Sequence, residues 1–260
     1  EENMRTFTGV SISAMAKTME GLGVEAIGVN CSLGPKELYT VLEEMTKWTN
    51  LPLILKANAG LPDPVTNEYN ISAEEFAEES AKSAVHYVKY FGGCCGTDET
   101  FISELKKVLA RTEFPQAKQK IVRPVVCSAT CTVELSEPRV IGERINPTGK
   151  KRFKEALLNH DIDYILNQTE AGAEILDVNV GLPGIDEKEM MVSVLKELQG
   201  ITDAPLQIDS TIPEVIEAAL RVYNGKPILN SVNGEEKSLE TILPLAKKYG
   251  ACVIGLALDE

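Results

Sequence analysis

Leu206-Gln207-Ile208-Asp209-Ser210 is a short apolar run that turns polar at its carboxyl end, and this pattern recurs along the second half of the chain. Similar runs occur at 140–146, 175–179, 228–231 and 253–259, and amphipathic stretches near 153–171, 187–198, 213–222 and 238–249 separate them. Strands that alternate with helices are typical of parallel β/α units. The sequence therefore predicts an α/β fold with parallel strands.

Each of these five predicted strands ends in Asp or Asn. A single such residue would be an ordinary turn or helix cap, because Asp and Asn favour both positions. Five in register predict a ring of hydrogen-bonding groups at the top of a parallel barrel. Apart from Arg144 the ring has little positive charge. It therefore suits a flat, neutral heterocycle rich in N–H groups, such as a pterin, better than a phosphate.

The first half of the chain repeats the alternation with different chemistry. A predicted strand at 24–29 ends at Asn30-Cys31, a helix follows from Pro35, and a second strand covers 53–56. Ser72 is expected to cap a helix that runs to about residue 90 and leads into Gly92-Gly93-Cys94-Cys95-Gly96. A last helix is expected at 99–109.

Three of the six cysteines stand in glycine-bordered segments, which are expected at the carboxyl ends of parallel strands, where parallel barrels place their active sites. Glycines admit backbone angles that other residues avoid, so the adjacent thiols of Cys94 and Cys95 can turn toward one ion together with Cys31. Three sulfur ligands with a fourth position open are typical of a catalytic zinc site. The alternative is that these cysteines are buried core residues.

Composition excludes several classes of protein. The net charge of −13 argues against nucleic acid and anionic membranes as partners. No run approaches the roughly 20 apolar residues of a membrane span, and no signal peptide is evident. Six cysteines without a small disulfide scaffold favour a reducing, cytoplasmic environment. We expect Cys127 and Cys131 to be core or exposed thiols, Cys252 to be a core residue of an apolar strand, and neither histidine to be a ligand.

The motifs in their order resemble a known enzyme family. Gly28-Val29-Asn30-Cys31, the Asn58 to Pro62 loop and the double-cysteine segment resemble the homocysteine-binding barrel of cobalamin-dependent methionine synthases. Gly-Glu-Arg-Ile-Asn at 142–146, Leu-Asp-Val-Asn at 176–179, Ile-Asp-Ser at 208–210 and Leu-Asn-Ser at 229–231 resemble the folate-binding barrel that follows it.

The resemblance implies tandem (β/α)8 barrels of the TIM type, each incomplete in this chain. It divides the chain into the end of a homocysteine- and zinc-binding barrel (1–112), a linker (113–138) and the start of a pterin-binding barrel (139–260). It implies that Cys31, Cys94 and Cys95 are zinc ligands and catalytic residues. It implies a methyltetrahydrofolate site made by Glu143, Asn146, Asp177, Asn179, Asp209, Asn230 and Asp259, with Asp209 and Asn230 in direct contact with the pterin.

By the same resemblance, methyltetrahydrofolate donates a methyl group that cobalamin carries to zinc-bound homocysteine, forming methionine. The Asp-x-His-x-x-Gly corrinoid motif is absent, so we expect a cobalamin-binding domain or protein as a partner. Two alternatives remain open. One is a zinc-dependent homocysteine S-methyltransferase with another methyl donor, such as betaine or S-methylmethionine, and the other is an inactive structural fragment.

Overall fold

The structure is a computed structural model that describes residues 4–69, 71–116, 123–166 and 172–257. Its helices and strands follow in chain order: α1 (Ile12–Gly21), β1 (Ile27–Asn30), α2 (Pro35–Met45), β2 (Leu53–Ala57), α3 (Ala73–Lys82), β3 (Val88–Gly93), α4 (Glu99–Leu109), β4 (Val125–Cys127), β5 (Thr132–Glu134), β6 (Ile141–Ile145), α5 (Lys151–Leu158), α6 (Ile162–Leu166), β7 (Ile175–Val178), α7 (Glu187–Ile201), β8 (Leu206–Asp209), α8 (Pro213–Val222), β9 (Ile228–Val232), α9 (Glu236–Tyr249) and β10 (Cys252–Gly255). None of the described helices is both long and apolar enough to cross a lipid bilayer.

The chain forms two compact units, which we describe separately. One spans 24–122, and the other joins residues up to 23 with those from 123 onward. Helix α1 belongs to the second unit, where it packs against β4.

The unit at 24–122 is built on a parallel sheet with the strand order β1-β2-β3. Helix α2 begins at Pro35, which tolerates the first turn because its missing N–H would have no helical partner there. Helix α3 begins after Ser72, whose Oγ accepts a hydrogen bond of 3.1 Å from the Glu75 N–H, as predicted. Helix α4 covers Glu99–Leu109, the range expected from the sequence.

The second unit is built on five parallel strands in the order β10-β9-β8-β7-β6. Alternate residues of its strands face opposite sides, so Leu176 and Ile208 belong to a large apolar cluster with the helices. On the other face, Ile175 and Ile228 form a smaller cluster with β4 and β5. Asp177 and Asn230 lie on the same face, two residues closer to the carboxyl ends of their strands than Ile175 and Ile228.

Three predicted elements are corrected by the structure. The helix expected to reach residue 90 ends at Lys82, and after a 3-10 turn at Ser83–His86 the chain continues as strand β3. Tyr87 adopts a positive φ of 63° at this break, which stops a helix. The helix expected at 153–171 is interrupted between α5 and α6, where His160 has a φ of 53°. Residues 167–171 lie outside the described part of the chain.

The third correction concerns the segment at 113–138, which is expected to be a linker and of which 117–122 lie outside the described residues. It contains the antiparallel hairpin β4-β5, in which Val126 pairs with Val133. β-branched residues such as these favour strands, and the prolines lie outside the hairpin. Cys127 is fully buried there, and Cys252 is half-buried beside the same cluster.

The predicted fold class is confirmed. Both larger sheets are parallel, and helices alternate with their strands. Neither sheet closes into a barrel within the described ranges, as expected for incomplete barrels.

Candidate functional site

Three thiols converge at one edge of the three-stranded sheet. Sγ of Cys31 lies 3.5 Å from Sγ of Cys95, which lies 4.0 Å from Sγ of Cys94. All three sulfurs lie within 4.8 Å of one another. A tetrahedral zinc ion bound at about 2.3 Å separates its sulfur ligands by roughly 3.8 Å. The observed spacing therefore fits three ligands of one zinc ion.

The backbone brings these cysteines together across strand β2. The N–H of Cys31 donates to the carbonyl of Lys56 at 2.8 Å, and the N–H of Cys94 donates to the carbonyl of Ala57 at 2.8 Å. Cys31 has a φ of 65°, so the chain turns sharply as it leaves β1. Both segments thus lie at the carboxyl edge of the sheet, where parallel barrels place their active sites.

Glycine is required where β1 approaches its neighbour. A Cβ at Gly28 would lie 2.1 Å from the carbonyl oxygen of Ile54 and 2.6 Å from its Cβ. Gly96 has a φ of 76°, and a Cβ there would lie 2.4 Å from the ring of Tyr69. Close packing on both sides of the thiols therefore depends on the glycines of these motifs.

Two side chains to which the sequence analysis assigned no role surround the thiols. Asn58 is 3% exposed, and its Oδ1 accepts a hydrogen bond of 3.1 Å from the Cys95 N–H. Tyr69 packs its ring over Gly96. Asn58 follows β2, so only the pairing of β2 with β1 and β3 places it beside the cysteines.

The thiols differ in acidity because they share hydrogen bonds. The Ser32 N–H lowers the pKa of Cys31, and the thiols of Cys95 and Cys94 lower it further. The pKa of Cys95 is raised, first by its hydrogen bond with Cys31 and then by that with Cys94. Cys31 therefore carries negative charge more readily than Cys95.

The second group of polar side chains lies at the carboxyl ends of β7, β8 and β9. Asp177 and Gln207 are buried side by side, and Nε2 of Gln207 donates to Oδ1 of Asp177. Nδ2 of Asn230 lies 3.4 Å from the same oxygen. Strand pairing thus joins three side chains from three strands in one network.

Two further hydrogen bonds extend this group. Nδ2 of Asn179 donates to Oδ2 of Asp209 at 2.9 Å. Nδ2 of Asn146, which is 5% exposed, donates to Oε1 of Glu143 at 2.8 Å. Six of the seven residues expected at the pterin site therefore take part in hydrogen bonds with one another or with Gln207. The seventh, Asp259, lies outside the described residues.

Burial sets the acidity of the two central carboxyls. The pKa of Asp177 is raised to about 6, and desolvation is the largest cause. The hydrogen bond from Gln207 lowers this pKa, whereas the negative charge of Asp209 raises it. Desolvation also raises the pKa of Asp209, which the hydrogen bond from Asn179 opposes. Such carboxyls are common at binding and catalytic sites.

The sequence analysis assigned no role to Gln207. It lies two residues before Asp209 on β8 and therefore on the same face of the sheet. This period-two spacing is the signal that could have identified it.

Comparisons with known proteins match both halves of the chain. Residues 1–109 match the family model of homocysteine S-methyltransferase, and residues 142–260 match that of pterin-binding enzymes. The methionine synthase of Mycobacterium tuberculosis is 32% identical over 267 residues, and that of Mycobacterium leprae is 32% identical over 271. Each alignment covers 97% of this chain and 22% of the relative, so the chain spans about a fifth of their length.

Among solved structures, a dihydropteroate synthase from Stenotrophomonas maltophilia with active site-bound imidazole is 26% identical. It aligns over 53% of this chain and 49% of its own, with a TM-score of 0.37. A dihydropteroate synthase from Xanthomonas albilineans in complex with 7,8-dihydropteroate is 28% identical. That alignment covers 47% of this chain and 46% of the other, with a TM-score of 0.32.

Proposed function

This chain belongs to the methionine synthase family, and from that premise we propose that it takes part in methyl transfer from 5-methyltetrahydrofolate to homocysteine, which forms methionine. The observation that carries the proposal is the cluster of Cys31, Cys94 and Cys95 in a chain that also holds hydrogen-bonded Asp and Asn side chains at one edge of a second sheet. One half would bind the methyl acceptor, and the other would bind the methyl donor.

In the first half, we propose that the three cysteines hold a zinc ion beside the homocysteine sulfur. A bound zinc would supply Lewis acidity that lowers the pKa of the homocysteine thiol, so that it is a thiolate near neutral pH. Three cysteine sulfurs donate enough negative charge to keep that thiolate electron-rich and nucleophilic. Asn58 fixes the Cys95 backbone through its hydrogen bond and so holds this sulfur in place.

In the second half, we propose that Asp209 and Asn230 contact the pterin, and that the other members of the ring hold them in position. Asn179 fixes the Asp209 carboxylate through a bond of 2.9 Å. A carboxylate can accept two hydrogen bonds from the ring N–H and the exocyclic amine of a pterin. Methyl release requires a proton on the departing ring nitrogen, which is general acid catalysis. Glu143, Asn146, Asp177, Asn179 and Asp259 complete the proposed site.

We further propose that a cobalamin-binding domain or protein carries the methyl group between the two sites. No residue of this chain is proposed to hold cobalamin, because the chain contains no Asp-x-His-x-x-Gly motif. The proposed location is the cytoplasm, where all six cysteines would stay reduced, and none of them forms a disulfide in the structure. The proposed domains remain 1–112 and 139–260, joined by a linker at 113–138.

Zinc and homocysteine binding test the first half of the proposal. We expect the chain to retain one zinc ion after dialysis, and calorimetry to detect homocysteine binding only when zinc is present. The zinc should also protect the three cysteines from alkylation. Cysteines that bind no metal and are alkylated freely would support a structural role instead.

Titration with a folate analogue tests the second half. We expect Asp209→Asn to weaken binding at least tenfold, about 1.4 kcal/mol, because one carboxylate oxygen is replaced by a donor that faces the pterin N–H groups. Asp163→Asn on the exposed side of α6 is the matched control. Equal affinity of the Asp209 variant and the parent chain would remove the pterin assignment.

A further inference from the structure

Two buried oxygens beside the proposed pterin site have no hydrogen-bond partner among the described residues. They are Oδ2 of Asp177 and Oε1 of Gln207, and they belong to side chains that are already joined by another hydrogen bond. Asp177 is 2% exposed and Gln207 is 4% exposed. The two residues are register partners on neighbouring strands, so their side chains leave the same face of the sheet side by side.

Unpaired acceptors are costly in such a position, because burial removes their water without a replacement. One proton on Oδ2 of Asp177 would remove both deficits. The acid O–H could then donate to Oε1 of Gln207, while Nε2 of Gln207 continues to donate to Oδ1 of Asp177. We propose that Asp177 and Gln207 share one proton as a carboxylic acid–carboxamide pair joined by two complementary hydrogen bonds.

The surrounding charges favour the protonated form. Within the described part of the chain, the charged groups that act on Asp177 are Glu143 from β6 and Asp209 from β8, and both are carboxylates that repel a third negative charge. Asn230 on β9 contributes a neutral amide at 3.4 Å. Desolvation and these carboxylates raise the pKa of Asp177 to about 6, and a hydrogen bond from its acid form to Gln207 raises it further.

The pair determines what the ring presents to a ligand, a consequence that rests on the proposed function. With Asp177 neutral, Asp209 and Glu143 are the carboxylates in the described part of the site that remain to accept hydrogen bonds from a pterin. Gln207 is then a positioning residue, because it acts through Asp177 and not on the ligand. Nδ2 of Asn230 lies 3.4 Å from Oδ1 of Asp177, the oxygen that also accepts the hydrogen bond from Gln207.

Carboxyl carbon NMR tests the shared proton directly. In the chain labelled with ¹³C at the Asp carboxyls, the signal that disappears in Asp177→Asn is assigned to Asp177. We expect its titration midpoint clearly above pH 6, because the hydrogen bond from the acid form adds to the effect of burial, with Asp163 as the internal control of an exposed carboxyl. A midpoint at about 6 or below, for which burial and the neighbouring carboxylates suffice, would overturn the proposal.

Thermal unfolding of variants tests the role of Gln207. Asn at position 177 imitates the protonated acid, because its Nδ2 can donate to Oε1 of Gln207. We therefore expect Asp177→Asn to raise the melting temperature at pH 8 by about 2 °C or more. The gain should vanish when Gln207→Met is added, because Met offers neither bond. Asp177→Leu should lower the melting temperature, since it leaves the buried amide of Gln207 unpaired.

The outcomes separate this proposal from the proposed function. An Asp177 midpoint clearly above pH 6 with a gain in Asp177→Asn supports the pair even if no variant binds a folate analogue, in which case the pterin assignment alone fails. A lower melting temperature of Asp177→Asn at pH 8 overturns the pair, because it shows that the fold requires the carboxylate. A gain that persists in the double variant also overturns it, because Gln207 then plays no part.

Discussion

Sγ of Cys31 lies 3.5 Å from Sγ of Cys95, although 64 residues separate them in the chain. Strand β2 makes this contact possible, since it pairs with β1 on one side and with β3 on the other. The thiol cluster is therefore a product of sheet pairing, and its chemistry should be sensitive both to the sulfurs and to the strands that carry them.

The first prediction concerns zinc retention. Cys94→Ser should lower zinc affinity at least 100-fold, because a serine hydroxyl stays protonated and is a poor zinc ligand at neutral pH. Cys252→Ser is the matched control, since Cys252 is a half-buried thiol of the second unit that contacts the Val125 carbonyl at 3.7 Å. Competition with a chromogenic chelator measures both affinities. Equal loss in the two variants would contradict a specific site.

The second prediction concerns the residue that holds the Cys95 backbone. Asn58→Ala should weaken zinc binding about 10- to 100-fold, as is typical when a group that orients a metal ligand is removed. The variant loses the acceptor of the Cys95 N–H, a partly buried donor. Asn159→Ala at the exposed end of α5 is the control. Unchanged zinc affinity would show that the backbone alone positions this sulfur.

The α/β fold could be predicted because its elements carry local signals. Ser72 caps α3, and Pro35 stands in the first turn of α2. Strand β3 could not be predicted, because the apolar residues before it continue the spacing of the preceding helix. Helix α3 ends at Lys82, the 3-10 turn after it ends at the left-handed conformation of Tyr87, and pairing with β2 makes the following residues a strand. Tertiary pairing overrode local periodicity there.

The candidate site shows the same division. The three cysteines could be predicted, because glycine-bordered thiols at strand ends indicate a metal site without knowledge of the fold. The contacts of Asn58 and Gln207 could not, since their partners Cys95 and Asp177 belong to other strand and loop segments and depend on register. The spacing of Gln207 from Asp209 indicates only the face of β8 on which Gln207 lies. The sequence contains these residues, but only strand pairing shows what they contact.

The third prediction concerns the charged cluster that joins α8 and α9. Glu217 accepts hydrogen bonds of 2.9 Å from each of Lys248, Tyr249 and Arg221, and these lower its pKa to about 2. A lowered pKa in the folded state contributes stability above the ordinary value of 4.5, and this stability is lost as pH falls through about 2.

Glu217→Gln should therefore reduce the urea midpoint at pH 7, and the difference from the parent chain should shrink steadily between pH 4.5 and 2. The effect should be modest, because the carboxylate is exposed and salt screens it. Glu214→Gln in the first turn of the same helix is the control. A difference that stays constant across this pH range would contradict the assignment to the ionised carboxylate.

The last prediction concerns the approach of β1 to β2. Gly28→Ala should destabilise the chain by about 1–3 kcal/mol, the usual cost of forcing a methyl group into a packed position, because its Cβ would lie 2.1 Å from the Ile54 carbonyl oxygen. Gly200→Ala is the matched control, since nothing lies within 4 Å of its Cβ in α7, and it should stabilise by about 0.5–1 kcal/mol. Urea unfolding measures both changes. The Gly28 variant should also bind zinc more weakly, because β1 leads directly into Cys31. A loss of stability with unchanged zinc affinity would show that the position of β1 does not determine zinc binding.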